Sequence, residues 1–252
     1  MRRAFSLFAV LILFLSFGMA QEHATPATPV PRTNSAKETP SAEKIWADLM
    51  QGNKRFVASK TKVREFGHLR SSLASGQHPR VIVLTCSDSR VPPELLFDKS
   101  LGDIFVVRSA GNVADAIGLG SIEYAVEHLG SSVLVVLGHE KCGAVTAACS
   151  GGKMPSPNLQ AIVDKINPAV IQASSYAKAD ALVEAAIEEN IHQSAKDVLG
   201  NSEILRHALK EGKLTVIEAI YKLDTGEVTR LGKLSVFAPA YKLDVGYVVR
   251  VE

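Results

Sequence analysis

Short runs of uninterrupted apolar residues alternate with stretches of helical periodicity through the middle of the chain. Three of these runs, residues 81–84, 104–107 and 133–137, each lead directly into polar residues. Apolar runs of this length without alternation are typical of parallel strands that helices cover on both faces. Residues 117–129 have helical periodicity and end at Gly130, so this part of the chain is predicted to form a βαβ unit.

Further elements are predicted on both sides of this unit. An amphipathic helical arm begins near Ala42, because the apolar residues that follow recur at helical spacing. On the C-terminal side we expect helices at about 179–199 and 202–210, a strand at 214–221, and a short edge strand at 227–231. The whole pattern predicts an α/β fold with a mostly parallel β-sheet flanked by helices and with an N-terminal helical arm.

The N-terminal 41 residues show no sign of a packed domain. Residues 1–20 have the pattern of a signal peptide: Arg2 and Arg3, an apolar run over residues 4–17, and small residues before a cleavage site after Ala20. The run is shorter than the roughly 20 residues of a membrane span, and an uncleaved anchor is the alternative interpretation. Residues 21–41 are rich in Pro, Thr, Ala and Ser, which predicts a disordered linker. We expect a periplasmic or secreted protein.

Most of the chain after residue 41 is predicted to form one domain. The chain has 252 residues, of which 46% are hydrophobic, and this length suits a single α/β domain. We assign residues 42–232 to that domain and residues 233–252 to a C-terminal extension. Residues 241–246 repeat the pattern Tyr-Lys-Leu-Asp-x-Gly of residues 221–226. We interpret this repeat as chance or a local duplication, and the extension as an edge strand or subunit contact.

Charge narrows the range of partners. The chain has 28 basic and 26 acidic residues. Residues 1–20 contain two arginines and no acid, so the remainder has 28 − 2 = 26 basic residues against 26 acidic ones. A neutral chain lacks the excess of Lys and Arg that binds phosphate backbones or anionic lipids. We expect no nucleic-acid partner and, after signal cleavage, no stable membrane association.

Residues with metal-binding chemistry follow two of the three apolar runs. Cys86, Asp88 and Arg90 come after the first run, and His139 and Cys142 come after the third. The carboxyl ends of parallel strands meet at one edge of a sheet, where active sites collect. Two thiolates and an imidazole suit Zn²⁺, and three protein ligands leave a fourth position open, as in catalytic zinc sites. We therefore predict one zinc ion per chain, bound by Cys86, His139 and Cys142.

Two alternatives are open for these cysteines. A structural zinc site needs a fourth ligand, and the only other cysteine is Cys149, which we expect to be a small core residue in a helix after Gly143. A disulfide between Cys86 and Cys142 is the second alternative, because exported proteins meet oxidising conditions.

Asp88 and Arg90 form a pair with a separate role. Asp88 either completes a closed zinc shell or accepts a hydrogen bond from a hydroxide on the metal. Arg90 presents a planar guanidinium that matches a carboxylate and keeps it ionised. The alternative is an ordinary surface ion pair.

Four linked motifs resemble those of the β-class carbonic anhydrases. In chain order they are residues 86–91 (Cys-Ser-Asp-Ser-Arg-Val), 106–112 (Val-Val-Arg-Ser-Ala-Gly-Asn), 120–125 (Gly-Ser-Ile-Glu-Tyr-Ala) and 138–144 (Gly-His-Glu-Lys-Cys-Gly-Ala). The resemblance extends over residues 42–228. It implies a lyase that reversibly hydrates CO2 to bicarbonate and a proton by attack of a zinc-bound hydroxide.

The resemblance also implies the roles of the site residues. Cys86, His139 and Cys142 are the implied metal ligands, and Asp88 with Arg90 is the implied catalytic dyad. The implied fold is a mostly parallel sheet flanked by helices. The implied functional unit is a homodimer or homotetramer in which N-terminal helices embrace the partner.

Finer points remain hypotheses. The backbone N–H of Gly143, if it lies at a helix N-terminus, polarises an oxygen of CO2. Arg108 and Tyr221 resemble part of a bicarbonate-binding set of regulated relatives, but Val83 stands where those relatives have Trp, so we favour an unregulated site. Arg108 otherwise bridges subunits or pairs within the core. The rival functions are a non-catalytic zinc-stabilised oligomer and an enzyme that hydrates CS2 or COS.

Overall fold

The computed structural model describes residues 40–232. The predicted signal peptide (1–20), nearly all of the predicted linker (21–41) and the predicted C-terminal edge strand (233–252) lie outside the described residues. Within residues 40–232, no helix combines the length and the apolar character needed to cross a membrane.

A five-stranded sheet lies at the centre of the fold. Its strands are β1 (Val81–Cys86), β2 (Ile104–Ser109), β3 (Val133–His139), β4 (Thr215–Tyr221) and β5 (Val228–Arg230). Their order across the sheet is β2-β1-β3-β4-β5. Strands β1 to β4 are parallel, and β5 pairs antiparallel with β4. The prediction of a mostly parallel sheet is confirmed.

Helices flank this sheet. They are α1 (Ala42–Val57), α2 (Phe66–Leu73), α3 (Pro93–Leu96), α4 (Ala116–Glu127), α5 (Gly143–Ser150), α6 (Pro157–Ser174), α7 (Leu182–Gly200) and α8 (Glu203–Lys210). Helices α1, α4, α7 and α8 lie close to the predicted bounds. Helices α2, α3 and α6 were not predicted. Pro168 lies inside α6, and because an interior proline usually ends a helix, it conceals α6 in the sequence.

Apolar side chains form one core cluster on each face of the sheet. On one face, Leu49 of α1 packs in the same cluster as Val83 of β1. On the other face, Ile166 of α6 and Ile191 of α7 pack in the same cluster as Leu84. Strands β1 and β3 are buried along their whole length, because they have strands on both sides and helices on both faces. Their carboxyl ends are therefore held side by side.

Helix α1 is joined to the β4–β5 hairpin by a buried amide. Asn53 Nδ2 donates to the backbone carbonyls of Gly226 (2.8 Å) and Leu96 (3.1 Å). Asn53 Oδ1 accepts a hydrogen bond of 2.9 Å from the backbone N–H of Val228. This one side chain satisfies three buried backbone groups, so it fixes the arm against the sheet of its own chain.

A buried carboxylate fixes the end of the same arm. The side chain of Asp98 has no exposed surface, and it lies 2.5 Å from Arg55 Nε and 2.7 Å from Arg64 Nη2. The backbone N–H of Lys62 also donates to it, at 3.2 Å. Burial opposes the charged form, but the hydrogen bonds from Arg55 and Arg64 outweigh it and lower the pKa of the Asp98 carboxyl.

The first prediction concerns Asp98→Asn. We expect this change to lower the free energy of unfolding by roughly 2 kcal/mol at neutral pH, because it leaves two guanidinium groups without their carboxylate. Since the pKa of Asp98 is lowered in the folded protein, its contribution is present above the ordinary value of 3.8 and is lost as the pH falls. The difference from wild type should shrink between about pH 5 and pH 2 in denaturant titrations.

Asp48→Asn is the matched control. Asp48 is an exposed partner of Lys99, and exposed pairs contribute little to stability. Wild type and the two variants have the same candidate metal ligands, so loss of a bound metal at low pH affects the three proteins equally. Equal destabilisation by the two substitutions would contradict the role given to Asp98.

Candidate metal centre

Three side chains meet at the carboxyl edge of the sheet. Cys86 is the last residue of β1, His139 is the last residue of β3, and Cys142 immediately precedes α5. The three residues are buried, and their ligand atoms all lie within 4.8 Å of one another. The structure thus brings together the three residues that were predicted to bind zinc.

The ring of His139 is oriented for a metal. Its Nδ1 lies 2.8 Å from the backbone carbonyl oxygen of Glu140. A carbonyl only accepts, so Nδ1 carries the proton and Nε2 has a free lone pair. Nε2 is buried and has no hydrogen-bond partner. A buried nitrogen without a partner is costly, and a cation at this place removes the cost.

The set of donor atoms fits zinc at an open site. Two sulfurs and one imidazole nitrogen are ligands that Zn²⁺ prefers, and three ligands leave one position for water or substrate. Among residues 40–232, no further Asp, Glu, His or Cys belongs to this cluster. Cys149 lies half-buried in α5 against the core, as expected. All three cysteines are free thiols, so the structure contains neither the disulfide nor a four-residue structural site.

The pKa values of the two thiols shift in opposite directions. A hydrogen bond from the Cys142 thiol is the main reason why the pKa of the Cys86 thiol is lowered. The same bond, together with burial, raises the pKa of Cys142. The backbone N–H of Gly111 also donates to Cys86 Sγ, at 3.3 Å. A divalent cation held by both sulfurs would need both as thiolates, so its binding would release any proton that the pair retains.

Asp88 and Arg90 pair beside this cluster. Arg90 Nε lies 2.9 Å from Asp88 Oδ1, Arg90 Nη2 lies 2.6 Å from Asp88 Oδ2, and the backbone N–H of Arg90 donates to Oδ1 at 2.9 Å. These hydrogen bonds, led by those of the guanidinium, hold the pKa of the Asp88 carboxyl well below its usual range. Asp88 is not one of the clustered ligand atoms, so its carboxylate is held by the arginine in this structure.

Arg108 holds the loop between the ligand and the pair. Its Nε donates to the carbonyl of Cys86 at 3.0 Å, and its Nη2 donates to the carbonyl of Asp88 at 2.7 Å. Arg108 thus fixes the backbone on both sides of Ser87, a role that none of the alternatives from the sequence included.

Gly111 and Asn190 hold Cys86 in place through hydrogen bonds. The sequence analysis did not identify either role. Gly111 has a φ of +71°, and a Cβ there would lie 2.7 Å from Ile166 Cδ1, so only glycine fits. Asn190 Nδ2, from α7, donates to the Gly111 carbonyl at 2.8 Å. The one signal in the sequence is an amide among the apolar residues of a buried helix face.

Gly143 lies at the N-terminus of α5. The backbone N–H groups of the next two residues, Ala144 and Val145, act to lower the pKa of the Cys142 thiol, but burial and Cys86 outweigh them. Gly143 is exposed, and a Cβ there would meet no atom within 4 Å. The first turn of a helix has N–H groups without intrahelical acceptors, so the N–H of Gly143 is available to a ligand in the open space beside the sulfurs.

Known proteins with similar sequence and fold are carbonic anhydrases. Residues 81–228 match the family model described as carbonic anhydrase. The chain is 37% identical over 188 residues to carbonic anhydrase 2 of Mycobacterium tuberculosis, and the alignment covers 72% of this chain and 88% of that relative.

Solved structures agree with the sequence match. A Coccomyxa β-carbonic anhydrase in complex with acetazolamide has a TM-score of 0.61 and 26% identity, and the match covers 76% of this chain and 84% of that chain. A chain from the structures of two tetrameric β-carbonic anhydrases of the ascomycete Sordaria macrospora has a TM-score of 0.60 and 26% identity, with 75% and 98% covered.

The second prediction tests the support of Cys86. Asn190→Leu keeps a similar volume but removes the donor to the Gly111 carbonyl, so the Gly111 N–H should hold Cys86 Sγ less firmly. We expect zinc affinity to fall by about 10-fold to 100-fold, the usual effect of removing a residue that orients a ligand. Competition with a chelator measures this.

Ser194→Ala is the control for this experiment. Ser194 lies on the same helix, but it contacts Asn112 rather than Gly111. Its zinc affinity should stay near wild type. Unchanged affinity in Asn190→Leu would show that α7 does not support the metal centre.

Proposed function

The chain belongs to the β-class carbonic anhydrase family, and we propose that Asp88 and Arg90 are its catalytic pair. We also propose that the enzyme acts outside the cytoplasm. Its activity is the reversible hydration of CO2 to bicarbonate and a proton, which makes it a lyase. The observation that best supports this function is the buried Nε2 of His139. This atom has no hydrogen-bond partner and lies in a cluster with two cysteine sulfurs.

Cys86, His139 and Cys142 would hold the zinc ion. When bound, zinc would supply Lewis acidity that lowers the pKa of a bound water towards the neutral range. The residues around it set the geometry: Glu140 fixes the tautomer of His139, and Gly111 orients Cys86.

Asp88 acts as the hydrogen-bond acceptor for the attacking oxygen. The bidentate contact with Arg90 keeps Asp88 ionised and fixes the plane of its carboxylate. A fixed acceptor turns the O–H of the attacking oxygen away from CO2 and directs a lone pair towards its carbon. Arg90 touches no reacting atom in this scheme and positions Asp88.

Gly143 acts on the substrate, CO2, rather than on the attacking oxygen. As negative charge develops on a CO2 oxygen, the backbone N–H of Gly143 donates a hydrogen bond to it, and the N-terminus of α5 adds a favourable dipole. The absence of a side chain at position 143 leaves the approach open. Asp88 and Gly143 together orient the nucleophile and the substrate.

The third prediction concerns Asp88→Asn. An amide has the same shape but donates as well as accepts, so it no longer fixes the attacking oxygen. We expect zinc content to stay at wild-type level while kcat for CO2 hydration falls by roughly 10² or more. Stopped-flow hydration assays and metal analysis measure the two effects.

Asp164→Asn provides the comparison. Asp164 is an exposed aspartate on α6 whose carboxylate accepts a hydrogen bond from the side chain of Gln160. This variant should hydrate CO2 at the wild-type rate. A wild-type rate in Asp88→Asn as well would remove Asp88 from the mechanism.

Export is supported by the sequence before the domain. Arg2 and Arg3 precede an apolar run and a small-residue cleavage site at Ala20, and the neutral remainder gives no reason for retention at an anionic membrane. The mature enzyme then works in the periplasm or outside the cell.

The fourth prediction tests export. In a Gram-negative host, the chain expressed from Met1 should be recovered from the periplasm with Gln21 as its first residue, as determined by intact mass. Leu13→Arg interrupts the apolar run and should leave the chain unprocessed in the cell. Recovery of the wild-type chain with residues 1–20 attached in the cytoplasmic fraction would overturn the proposal.

A homodimer or homotetramer is the proposed functional unit. The Sordaria macrospora relatives are tetrameric. In the described part of this chain, large apolar side chains are strongly exposed, among them Val63 (96%), Leu95 (60%) and Ile117 (79%). Association of chains would remove such exposed apolar side chains from water.

A further inference from the structure

The chain between the metal ligand Cys86 and the carboxylate of Asp88 is bonded to the end of β2. Strands β1 and β2 are paired as far as Cys86 and Ser109. Beyond this point, the backbone N–H of Ser87 donates to the carbonyl of Ser109 at 3.1 Å. The guanidinium of Arg108 bridges the carbonyls of Cys86 (3.0 Å) and Asp88 (2.7 Å). All three residues from the ligand to the carboxylate are therefore held by β2.

The carbonyl of Asp88 is held on two sides. It accepts from Arg108 Nη2, and it also accepts a hydrogen bond of 3.0 Å from the backbone N–H of Val91. A carbonyl oxygen has two lone pairs, so both are used. A backbone held in this way leaves the Asp88 side chain only the rotation about its own bonds, and the contact with Arg90 fixes that rotation.

Arg90 by itself does not fix the carboxylate relative to the metal ligand. Asp88 and Arg90 lie on the same loop, residues 87–92 between β1 and α3, so a bond between them moves with the loop. The Arg90 side chain is also 53% exposed, and exposed ion pairs are weak because water competes for both partners. Arg108 differs, because it belongs to a paired strand and reaches across to the loop from outside it.

We propose that Arg108 is a positioning residue for CO2 hydration. By holding the carbonyls of Cys86 and Asp88, it fixes the carboxylate of Asp88 relative to the metal ligand, while Arg90 fixes the rotamer of that carboxylate. Arg108 itself touches no reacting atom. This inference rests on the role proposed for Asp88 in orienting the attacking oxygen. A displacement of such a group by about 1 Å is enough to slow a reaction by roughly 10²-fold.

The fifth prediction concerns Arg108→Lys. Lysine keeps the charge, but its single nitrogen on a flexible stem does not reproduce the planar fork that holds two carbonyls. We expect kcat for CO2 hydration to fall by about 10-fold to 100-fold, while KM and the zinc content per chain stay at wild-type level. Stopped-flow assays and metal analysis measure these quantities, and circular dichroism checks the fold. A purely structural role would leave kcat per bound zinc unchanged.

Arg206→Lys is the matched control. Arg206 Nη1 donates to the carbonyls of Leu199 and Gly200, each at 2.8 Å. It thus also holds two carbonyls, but at the C-terminal end of α7, ten residues beyond Asn190. The control variant should lose stability and keep the wild-type kcat.

A double variant shows whether Arg108 acts through Asp88. If it does, adding Arg108→Lys to Asp88→Asn should lower kcat no further, because the carboxylate to be positioned is already absent. Losses of rate that multiply in the double variant would overturn the proposal. Loss of zinc in proportion to activity would also overturn it, because Arg108 would then support Cys86 alone. Arg108→Gln, measured in parallel, lacks the same fork and should give the same pattern.

The experiment distinguishes this inference from the function on which it rests. A wild-type kcat in Arg108→Lys and Arg108→Gln, together with a slow Asp88→Asn, would refute the role of Arg108 and leave that of Asp88 intact. A wild-type kcat in Asp88→Asn would refute the role of Asp88 and, with it, the positioning role of Arg108.

Discussion

The parallel pairing of β1 with β3 is the constraint on which the metal centre depends. Thr85 is paired with Leu137, so the strands end together and bring Cys86 and His139 to one edge. Cys142 returns to the same place because the chain turns sharply between His139 and α5. Lys141 has a φ of +53° in this turn, a conformation that costs a non-glycine residue energy. The packed sheet and helix on either side hold the turn in that conformation.

Polar groups that do not belong to the metal cluster keep the edge rigid. Arg108 of β2 holds two carbonyls of the loop after β1, and Gly111 donates to the sulfur of Cys86. Asn190 of α7 in turn holds Gly111. A buried thiolate requires donors, and donors on loops require fixed backbones. The helices on the α7 side therefore contribute to the chemistry although none of their residues is a ligand.

The part of the fold that follows from hydrophobic pattern was predictable. The apolar runs locate β1, β2 and β3, and their polar endings locate Cys86, Asp88, Arg90, His139 and Cys142, because parallel strands bring such endings together. Helix α6 was missed because Pro168 obscures its periodicity. The roles of Arg108 and Asn190 were missed for another reason: their hydrogen bonds are made to backbone atoms, and the sequence gives no sign of which carbonyl a distant side chain will reach.

The charges of the site bear on how the product leaves. A Zn²⁺ ion held by two thiolates and the neutral ring of His139 would carry no net formal charge. Asp88 and Arg90 cancel each other through their bidentate contact. Bicarbonate is an anion, and the attraction between charges is strong where water is excluded. A neutral centre would therefore attract bicarbonate less than a centre with a net positive charge would. The same thiolates would weaken the Lewis acidity of the metal. The role proposed for Asp88, to orient the attacking oxygen, would then matter more for the rate.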